Sequence, residues 1–171
     1  MLYICEGVDK CGKTTYIQNV IGDSQYIDVD EIDKYKLYEF GNKIGVRFNR
    51  DSKNSIFDNM LKVIVLSKTI DVYLDRSFIS EIVYGPIYRG KCRITANEIK
   101  LLFDKLQLED AIILYFVPYN YGRWITSLDK KDYFEKDRTK IQEVLDRYDN
   151  AMKNYSQILD VYKMSFIHES V

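Results

Sequence analysis

The chain has 171 residues, of which 46% are hydrophobic and 30% charged, a balance typical of a single soluble globular domain with a sizeable core. Its 25 Lys and Arg residues are matched by 26 Asp and Glu residues, which excludes a nucleic-acid binder that works through bulk positive charge. Because no apolar run reaches transmembrane length and no signal peptide precedes the first predicted strand, we expect no membrane partner and a cytoplasmic location. If the source is viral, that location is the host cytoplasm.

Apolar, strand-like segments alternate with helical segments along the chain. The predicted strands cover residues 2–5, 44–48, 71–75, 111–117 and 161–167, and the predicted helices cover residues 12–21, 55–68, 77–84, 96–106 and 137–154. Such alternation is typical of parallel sheets that are covered by helices on both faces. The sequence therefore predicts a three-layer α/β/α domain with a central five-stranded parallel sheet.

Three of these elements carry additional local signals. The fourth strand is a continuous apolar run that Pro118 ends, which indicates burial on both faces. The third helix is expected to stop before Gly85-Pro86, a pair that usually breaks helices. The last helix has one apolar stripe, formed by Ile141, Val144, Leu145, Tyr148 and Met152.

Residues 7–14 read Gly-Val-Asp-Lys-Cys-Gly-Lys-Thr and fit the phosphate-binding pattern G-x-x-x-x-G-K-[ST] between a strand and a helix. Its glycines let the backbone approach phosphate oxygens, and the helix N-terminus points partial positive charge at an anion. Lys13 would reach the β- and γ-phosphates of ATP, and the Thr14 hydroxyl would bind Mg²⁺. A chance Gly/Lys turn is the alternative. The predicted ATP-binding residues are Gly7, Lys10, Cys11, Gly12, Lys13, Thr14 and Thr15.

A second polar group follows the third predicted strand. Asp75 ends that strand and can orient Mg²⁺ together with Thr14, and Arg76 can grip a phosphate with two N–H groups. The alternative is a surface Asp-Arg pair at the start of a helix, with Asp75 or Ser77 as its cap. Because ligands bind at the carboxyl ends of parallel strands, we expect residues 7–14, 48–51, 75–80 and 119–123 to converge on one edge.

The sequence resembles thymidylate kinases and related deoxynucleoside monophosphate kinases, notably their small bacteriophage members. Residues 6–15, Glu-Gly-Val-Asp-Lys-Cys-Gly-Lys-Thr-Thr, are similar to the family's opening E-G-x-D-x-x-G-K-T-T. Residues 75–84 resemble its D-R-[YFS]-x-x-S-x-x-x-Y segment, and residues 46–50 look like a variant of its R-F-P-x-R stretch. The resemblance covers most of the chain and implies a P-loop kinase fold, and family members usually form homodimers.

The resemblance also implies roles for single positions. Asp9 would hold the sugar 3′-hydroxyl of the acceptor nucleotide, and Arg76 would bind its 5′-phosphate. The other residues implied to bind the acceptor are Arg47, Phe48, Arg50, Phe57, Ser80 and Tyr84, with Phe57 stacking on the base.

Three departures from the family pattern leave thymine specificity open. Asn49 replaces a proline, Gly85 replaces a glutamine, and no arginine follows Phe57 at the spacing that thymine readers use.

The polar segment 119–137 lies where nucleotide kinases have a closing lid. Its basic residues, and the one just after it, are Arg123, Lys130, Lys131 and Arg138. A cation supplied on closure would stabilise the charge that spreads over the transferred phosphoryl group. The alternative is a solvated connecting helix. Arg123 is the catalytic candidate because it lies nearest the strand end.

These signals together predict an ATP- and Mg²⁺-dependent deoxynucleoside monophosphate kinase. Lys13, Asp75, Arg76 and Arg123 are its expected catalytic residues. One alternative is a deoxynucleoside kinase, which needs a carboxylate after the second predicted strand to take a proton from the 5′-hydroxyl. That stretch is mostly basic, although Asp51 keeps this alternative open. The other alternative is a nucleotide-binding regulatory protein without turnover.

The three cysteines, Cys5, Cys11 and Cys92, are scattered and odd in number, so we expect free thiols. Cys11 lies in the phosphate loop beside two lysines, which predicts a lowered thiol pKa and high reactivity. Cys5 is expected to be buried and inert. His168, the only histidine, is expected to have no catalytic role.

Overall fold

The computed structural model describes residues 1–128 and 138–166, and these form a fully parallel six-stranded sheet. The strands are β1 (Leu2–Gly7), β2 (Tyr26–Asp28), β3 (Lys43–Arg47), β4 (Asp71–Asp75), β5 (Ile112–Pro118) and β6 (Asp160–Phe166), and their spatial order is β2-β3-β4-β1-β5-β6. The α/β class with a parallel sheet is confirmed. The count of five strands is wrong because β2 adds an edge strand beside β3. Three residues are too short a run to show a strand period in the sequence.

Six α-helices lie in the described part of the chain. They are α1 (Lys13–Ile21), α2 (Ile56–Ser67), α3 (Phe78–Arg89), α4 (Ala96–Leu108), α5 (Tyr121–Ser127) and α6 (Ile141–Tyr155). Caps explain two of the starts: the Ser55 hydroxyl accepts from the Asp58 N–H, and Thr95 forms a reciprocal capping box with Glu98. No helix in these ranges is long and apolar enough to cross a membrane.

Helix α3 does not stop before Gly85-Pro86, as the sequence predicted, but continues through Pro86 to Arg89. A proline removes one helical hydrogen bond, and this local cost is overridden by the packing of α3 against β1 and α6. Phe78, Ile79 and Val83 are buried on its inner side. The helix ends at Gly90, whose left-handed φ of 70° suits a glycine. This longer helix carries Arg89 to the cavity described below.

The core lies on both faces of the sheet. Ile4, Cys5 and Glu6 are consecutive in β1 and all are buried, so helices cover both sides of this central strand. The predicted stripe of α6 faces the core, since its members are buried except Leu145, which is half-buried. Gly7 is required at the end of β1, because a Cβ there would lie 2.2 Å from the carbonyl oxygen of Phe116.

Candidate active site

A cavity of about 810 Å³ opens at the carboxyl ends of β1, β3 and β4. Most of the residues that the sequence singled out line it, namely Asp9, Lys10, Gly12, Lys13, Thr14, Thr15, Arg47, Phe48, Arg50, Asp75, Arg76, Ser80 and Tyr84. The loops after these three strands therefore meet at one edge, as parallel topology requires.

The phosphate loop holds Lys13 in a buried position. Its ammonium donates to the backbone oxygens of Gly7, at 3.0 Å, and Val8, at 2.5 Å. Burial, aided by the positive charge of Arg76, lowers the pKa of Lys13 to about 8. Asp9 and Asp75 act in the opposite direction. The loop thus presents a cation that is held by main-chain atoms at the N-terminus of α1.

Asp75 and Thr14 form the part of the site that fits Mg²⁺. The Thr14 hydroxyl donates to Asp75 Oδ2 at 2.7 Å, and both residues line the cavity. Mg²⁺ prefers oxygen ligands and is usually held by one or two carboxylates plus substrate phosphates. The sequence did not single out Tyr26 on β2, whose hydroxyl donates to the same Asp75 oxygen at 2.6 Å. Its strand was too short to be recognised.

Arg76 lies between the phosphate loop and α3. Its φ is 65°, a strained conformation for a residue with a side chain. The guanidinium forms an ion pair with Asp9 and donates to Ser80 Oγ at 3.3 Å. It also lies 5.8 Å from the centre of the Tyr84 ring. These contacts present a cation at the centre of the cavity wall.

Behind this wall, Glu6 is a carboxylate with no exposed surface. It accepts from the hydroxyls of Ser77 at 2.7 Å, Ser80 at 2.8 Å and Tyr148 at 3.0 Å, and from the Ser80 N–H at 3.1 Å. The sequence contained Glu6 in a family motif but gave no role to it or to Tyr148. The network ties β1, the start of α3 and α6 together under Arg76.

A second buried carboxylate, Glu81, lies further along α3. It forms ion pairs with Arg89 and Arg93, and all three line the cavity. No sequence motif marks these residues, since they are separated by eight and four positions in a helix and the loop after it.

The end of β3 and the segment after it supply further cations. Arg47 pairs with Asp28 at 2.9 Å, and Arg50 lies at the same cavity edge. On α2, Ile56 lines the cavity, whereas Phe57 is partly buried against the core. The stacking role of Phe57 stays a prediction.

Helix α5 begins the predicted lid and contacts the phosphate loop. The Trp124 indole donates to the Asp9 carbonyl oxygen at 2.7 Å, and Lys10 donates to the Ser127 carbonyl oxygen at 2.8 Å. Arg123 is exposed on this helix and does not line the cavity. Its catalytic role stays a prediction.

Two further lid residues, Lys130 and Lys131, lie outside the described residues, and only the backbone of Arg138 is described. His168, which was expected to have no catalytic role, also lies outside the described residues.

The predicted lowered pKa of the Cys11 thiol is wrong. Its side chain is 1% exposed because it points into the core instead of the cavity. Burial raises the pKa of its thiol to about 12, which outweighs the charge of Lys13. Cys5 is buried with a raised pKa, as expected, and all three thiols are free. The role of Cys11 in ATP binding stays a prediction, and its side chain does not line the cavity.

Comparisons with known proteins support the architecture. No protein-family model matches the chain, and no curated protein sequence matches it. The YorR protein from Bacillus subtilis, in complex with phosphorylated GDP, has a similar structure with a TM-score of 0.64 and 17% identity, over 96% of this chain and 85% of that chain. Thymidylate kinase from Candida albicans aligns with a TM-score of 0.46 and 15% identity, over 95% of this chain and 82% of that chain. The first likeness shows the fold alone, a parallel α/β arrangement that resembles P-loop kinases, with six strands in the sheet of this chain.

Proposed function

We propose that the chain is an ATP- and Mg²⁺-dependent kinase that converts a deoxynucleoside 5′-monophosphate to the diphosphate. The observation that supports this most strongly is that two sets of cations line one cavity. Lys10 and Lys13 belong to the phosphate loop, whereas Arg47 ends β3 and Arg50 and Arg76 follow β3 and β4. Two groups of cations suit two phosphate-bearing substrates.

In this proposal the reaction is a direct transfer. An oxygen of the acceptor phosphate attacks the γ-phosphorus of ATP, the bond from that phosphorus to the β,γ-bridging oxygen breaks, and ADP leaves with the electron pair. No general base is required because the acceptor phosphate is already an anion. Lys13 stabilises the charge on the transferring group, and Arg76 holds the acceptor phosphate against it.

Thr14 and Asp75 would hold the Mg²⁺ ion, which supplies charge neutralisation at the β- and γ-phosphate oxygens when bound. Tyr26 orients the Asp75 carboxylate through its hydroxyl. Glu6 and its hydroxyl partners keep the start of α3, and with it Arg76, in place against the loop.

A deoxynucleoside kinase is the second candidate, because one carboxylate after β3, that of Asp51, also lines the cavity. Its side chain is 83% exposed and lies 4.0 Å from the Nε atom of Arg50. The Arg50 guanidinium beside it suits an acceptor phosphate, with which it can form charge-assisted hydrogen bonds. The surroundings of Asp51 therefore favour an acceptor that already carries a phosphate.

One experiment tests both candidates. Purified protein is incubated with ATP and Mg²⁺ against matched deoxynucleosides and their 5′-monophosphates, and ADP release is measured. We expect release with monophosphates only, and unchanged activity in Asp51→Asn. Release with nucleosides only, together with loss in Asp51→Asn, would establish the deoxynucleoside kinase instead. ATP binding without any acceptor-dependent release would indicate a regulatory protein.

A further inference from the structure

The second half of α3 forms a wall of the cavity beyond Arg76. Ser77 caps the helix, and Glu81 follows it by about one turn, some 5–6 Å along the axis. Glu81 Oε1 accepts from the backbone N–H of Arg93 at 2.8 Å and from its Nε at 3.2 Å. Oε2 accepts from Arg93 Nη2 at 3.1 Å and from Arg89 Nη2. One carboxylate therefore holds two guanidinium groups side by side.

Glu81 is ionised, and each of its two carboxylate oxygens already accepts two hydrogen bonds. Burial alone would raise its pKa, but hydrogen bonds from Arg93 and Arg89 outweigh burial and lower the pKa. The two guanidinium groups are only partly covered, with side-chain exposures of 31% for Arg89 and 39% for Arg93. Within residues 1–128 and 138–166, Arg89 donates to Glu81 alone, so its other N–H groups remain for a ligand.

Gly85 makes room for this arrangement. A Cβ at that position would lie 3.0 Å from Glu81 Oε1, 3.2 Å from Arg89 Nη2 and 2.9 Å from the Lys91 carbonyl oxygen. A Cβ at position 85 would therefore press on the Lys91 carbonyl oxygen, and the ends of the Glu81 and Arg89 side chains would have to shift by a few tenths of an ångström. The absence of a side chain there leaves room for the contact between Glu81 and Arg89 at the cavity wall.

At Arg89 and Arg93 the cavity wall offers hydrogen-bond donors only. A guanidinium group donates hydrogen bonds and accepts none, and the carboxylate that could accept is occupied by the arginines. A base edge that faces Arg89 and Arg93 must therefore offer acceptors. Guanine offers O6 and N7, and thymine or uracil offers O4, whereas adenine and cytosine place an amino group at the equivalent position. An amino group facing these donors would be left without a partner.

We propose that Arg89 and Arg93, held by Glu81, select the base of the acceptor and favour keto bases over amino bases. This inference rests on the proposed function, in which the acceptor phosphate lies at Arg76 and the base extends along α3. Guanine fits the wall best, because its adjacent O6 and N7 atoms can take two N–H donors at once.

Matched pairs of acceptors test the proposal. Deoxyinosine and deoxyadenosine monophosphates carry an oxygen and an amino group at purine position 6, and deoxyuridine and deoxycytidine monophosphates do so at pyrimidine position 4. In the purine pair we expect kcat/KM to be roughly 10- to 100-fold higher for the keto member, the discrimination of a good two-donor contact. In the pyrimidine pair we expect a smaller preference in the same direction, because uracil offers O4 alone. Equal use of keto and amino members would overturn the proposal.

Variants separate base selection from a structural role. In Arg89→Gln the new amide both donates and accepts, so the keto-to-amino ratio should fall to within a few-fold of one. Arg147→Gln is the matched control, because Arg147 is exposed on α6 and does not line the cavity. It should leave the ratio unchanged. A merely structural role would lower kcat/KM for both members equally, and an unchanged ratio in both Arg89→Gln and Arg93→Gln would overturn the proposal.

The keto-to-amino ratio can be measured even if the proposed function is wrong. If only nucleosides are phosphorylated, the proposed function fails, and the ratio measured on deoxyinosine and deoxyadenosine still tests the wall. If nothing is phosphorylated, calorimetric affinities for the two purine monophosphates give the ratio. Absence of binding by either purine monophosphate would overturn the proposal.

Discussion

The two ends of the cavity are held by different kinds of contact. At the phosphate-loop end, Lys13 is positioned by main-chain oxygens of Gly7 and Val8. At the α3 end, Arg89 is positioned by one side chain, that of Glu81. Main-chain atoms keep their place when side chains change, whereas an ion pair is lost with either partner. The first end should therefore decide whether transfer occurs, and the second which acceptor is used.

The sharpest test of this division is Lys13→Ala. Removing a preorganised cation from the transferring phosphoryl group should lower kcat by roughly 10²- to 10³-fold. The reduction should be the same for keto and amino acceptors, because Lys13 is at the other end of the cavity. Steady-state rates with the matched acceptors measure both quantities, and Lys153→Ala on the exposed side of α6 controls for the lost charge. A changed keto-to-amino ratio in Lys13→Ala would show that the phosphate-loop end also affects which acceptor is used.

Arg76 lies between the phosphate loop and α3, and its removal should reduce the use of the acceptor more than the binding of ATP. Arg76→Ala removes a charge-assisted contact, so kcat/KM for a monophosphate should fall about 10- to 100-fold while ATP affinity changes little. The conservative variant Arg76→Lys keeps the charge and loses the two-donor geometry. Its kcat/KM should therefore lie between those of the unaltered protein and Arg76→Ala. Equal losses for ATP and acceptor would place Arg76 at the donor end, and no loss would reduce it to a helix-start residue.

The phosphate-loop end was predictable because its residues are adjacent in the sequence. A glycine-rich loop between a strand and a helix has few alternatives, and the motif specified Lys13 and Thr14 directly. The topology then placed Asp75 and Arg76 beside them, since Asp75 ends and Arg76 follows a neighbouring parallel strand.

The α3 end was not predictable for two physical reasons. Its contacts join residues that no motif links, and its helix continues through Pro86 against local preference. At the phosphate-loop end, Tyr26 was missed because it lies on a strand of three residues. Cys11 shows a further limit. Sequence proximity to lysines predicted a reactive thiol, but the loop turns its side chain into the core, where burial controls its pKa. Side-chain direction in a loop is not visible in the sequence.

The pH dependence sharpens the description of the loop end. Burial lowers the pKa of Lys13 to about 8, so the ammonium is charged below that pH and loses its proton as pH rises through it. Since kcat/KM for ATP reports groups of the free enzyme, it should decline above about pH 8, approaching tenfold per pH unit. In Lys13→Arg this decline should disappear, whatever the absolute rate, because a guanidinium stays protonated. A decline that persists in Lys13→Arg would assign the titration to another group.

The smallest expected effect belongs to Tyr26, which supports the loop end from the sheet edge. Tyr26→Phe removes the hydroxyl that donates to Asp75 Oδ2, and leaves Thr14 as the remaining donor to that oxygen within the described residues. The ring itself keeps its place over Gly45, where a Cβ would lie 2.5 Å from the Tyr26 ring. A typical hydrogen bond contributes about 0.5–1.5 kcal/mol, a factor of roughly 2 to 13, and we expect kcat/KM to fall about fivefold because Thr14 still donates to the same oxygen.

The Mg²⁺ dependence separates orientation of Asp75 from a general loss of stability. If Tyr26 orients Asp75 for the ion, the Mg²⁺ concentration needed for half-maximal rate should rise in Tyr26→Phe, while the keto-to-amino ratio stays constant. Tyr162→Phe, at an exposed position on β6, is the matched control and should change neither. A lowered thermal midpoint with unchanged Mg²⁺ dependence would show that Tyr26 only stabilises the sheet edge. A changed acceptor ratio would show instead that the two ends of the cavity are coupled through β4 and the start of α3, because Asp75 and Arg76 are adjacent in the chain.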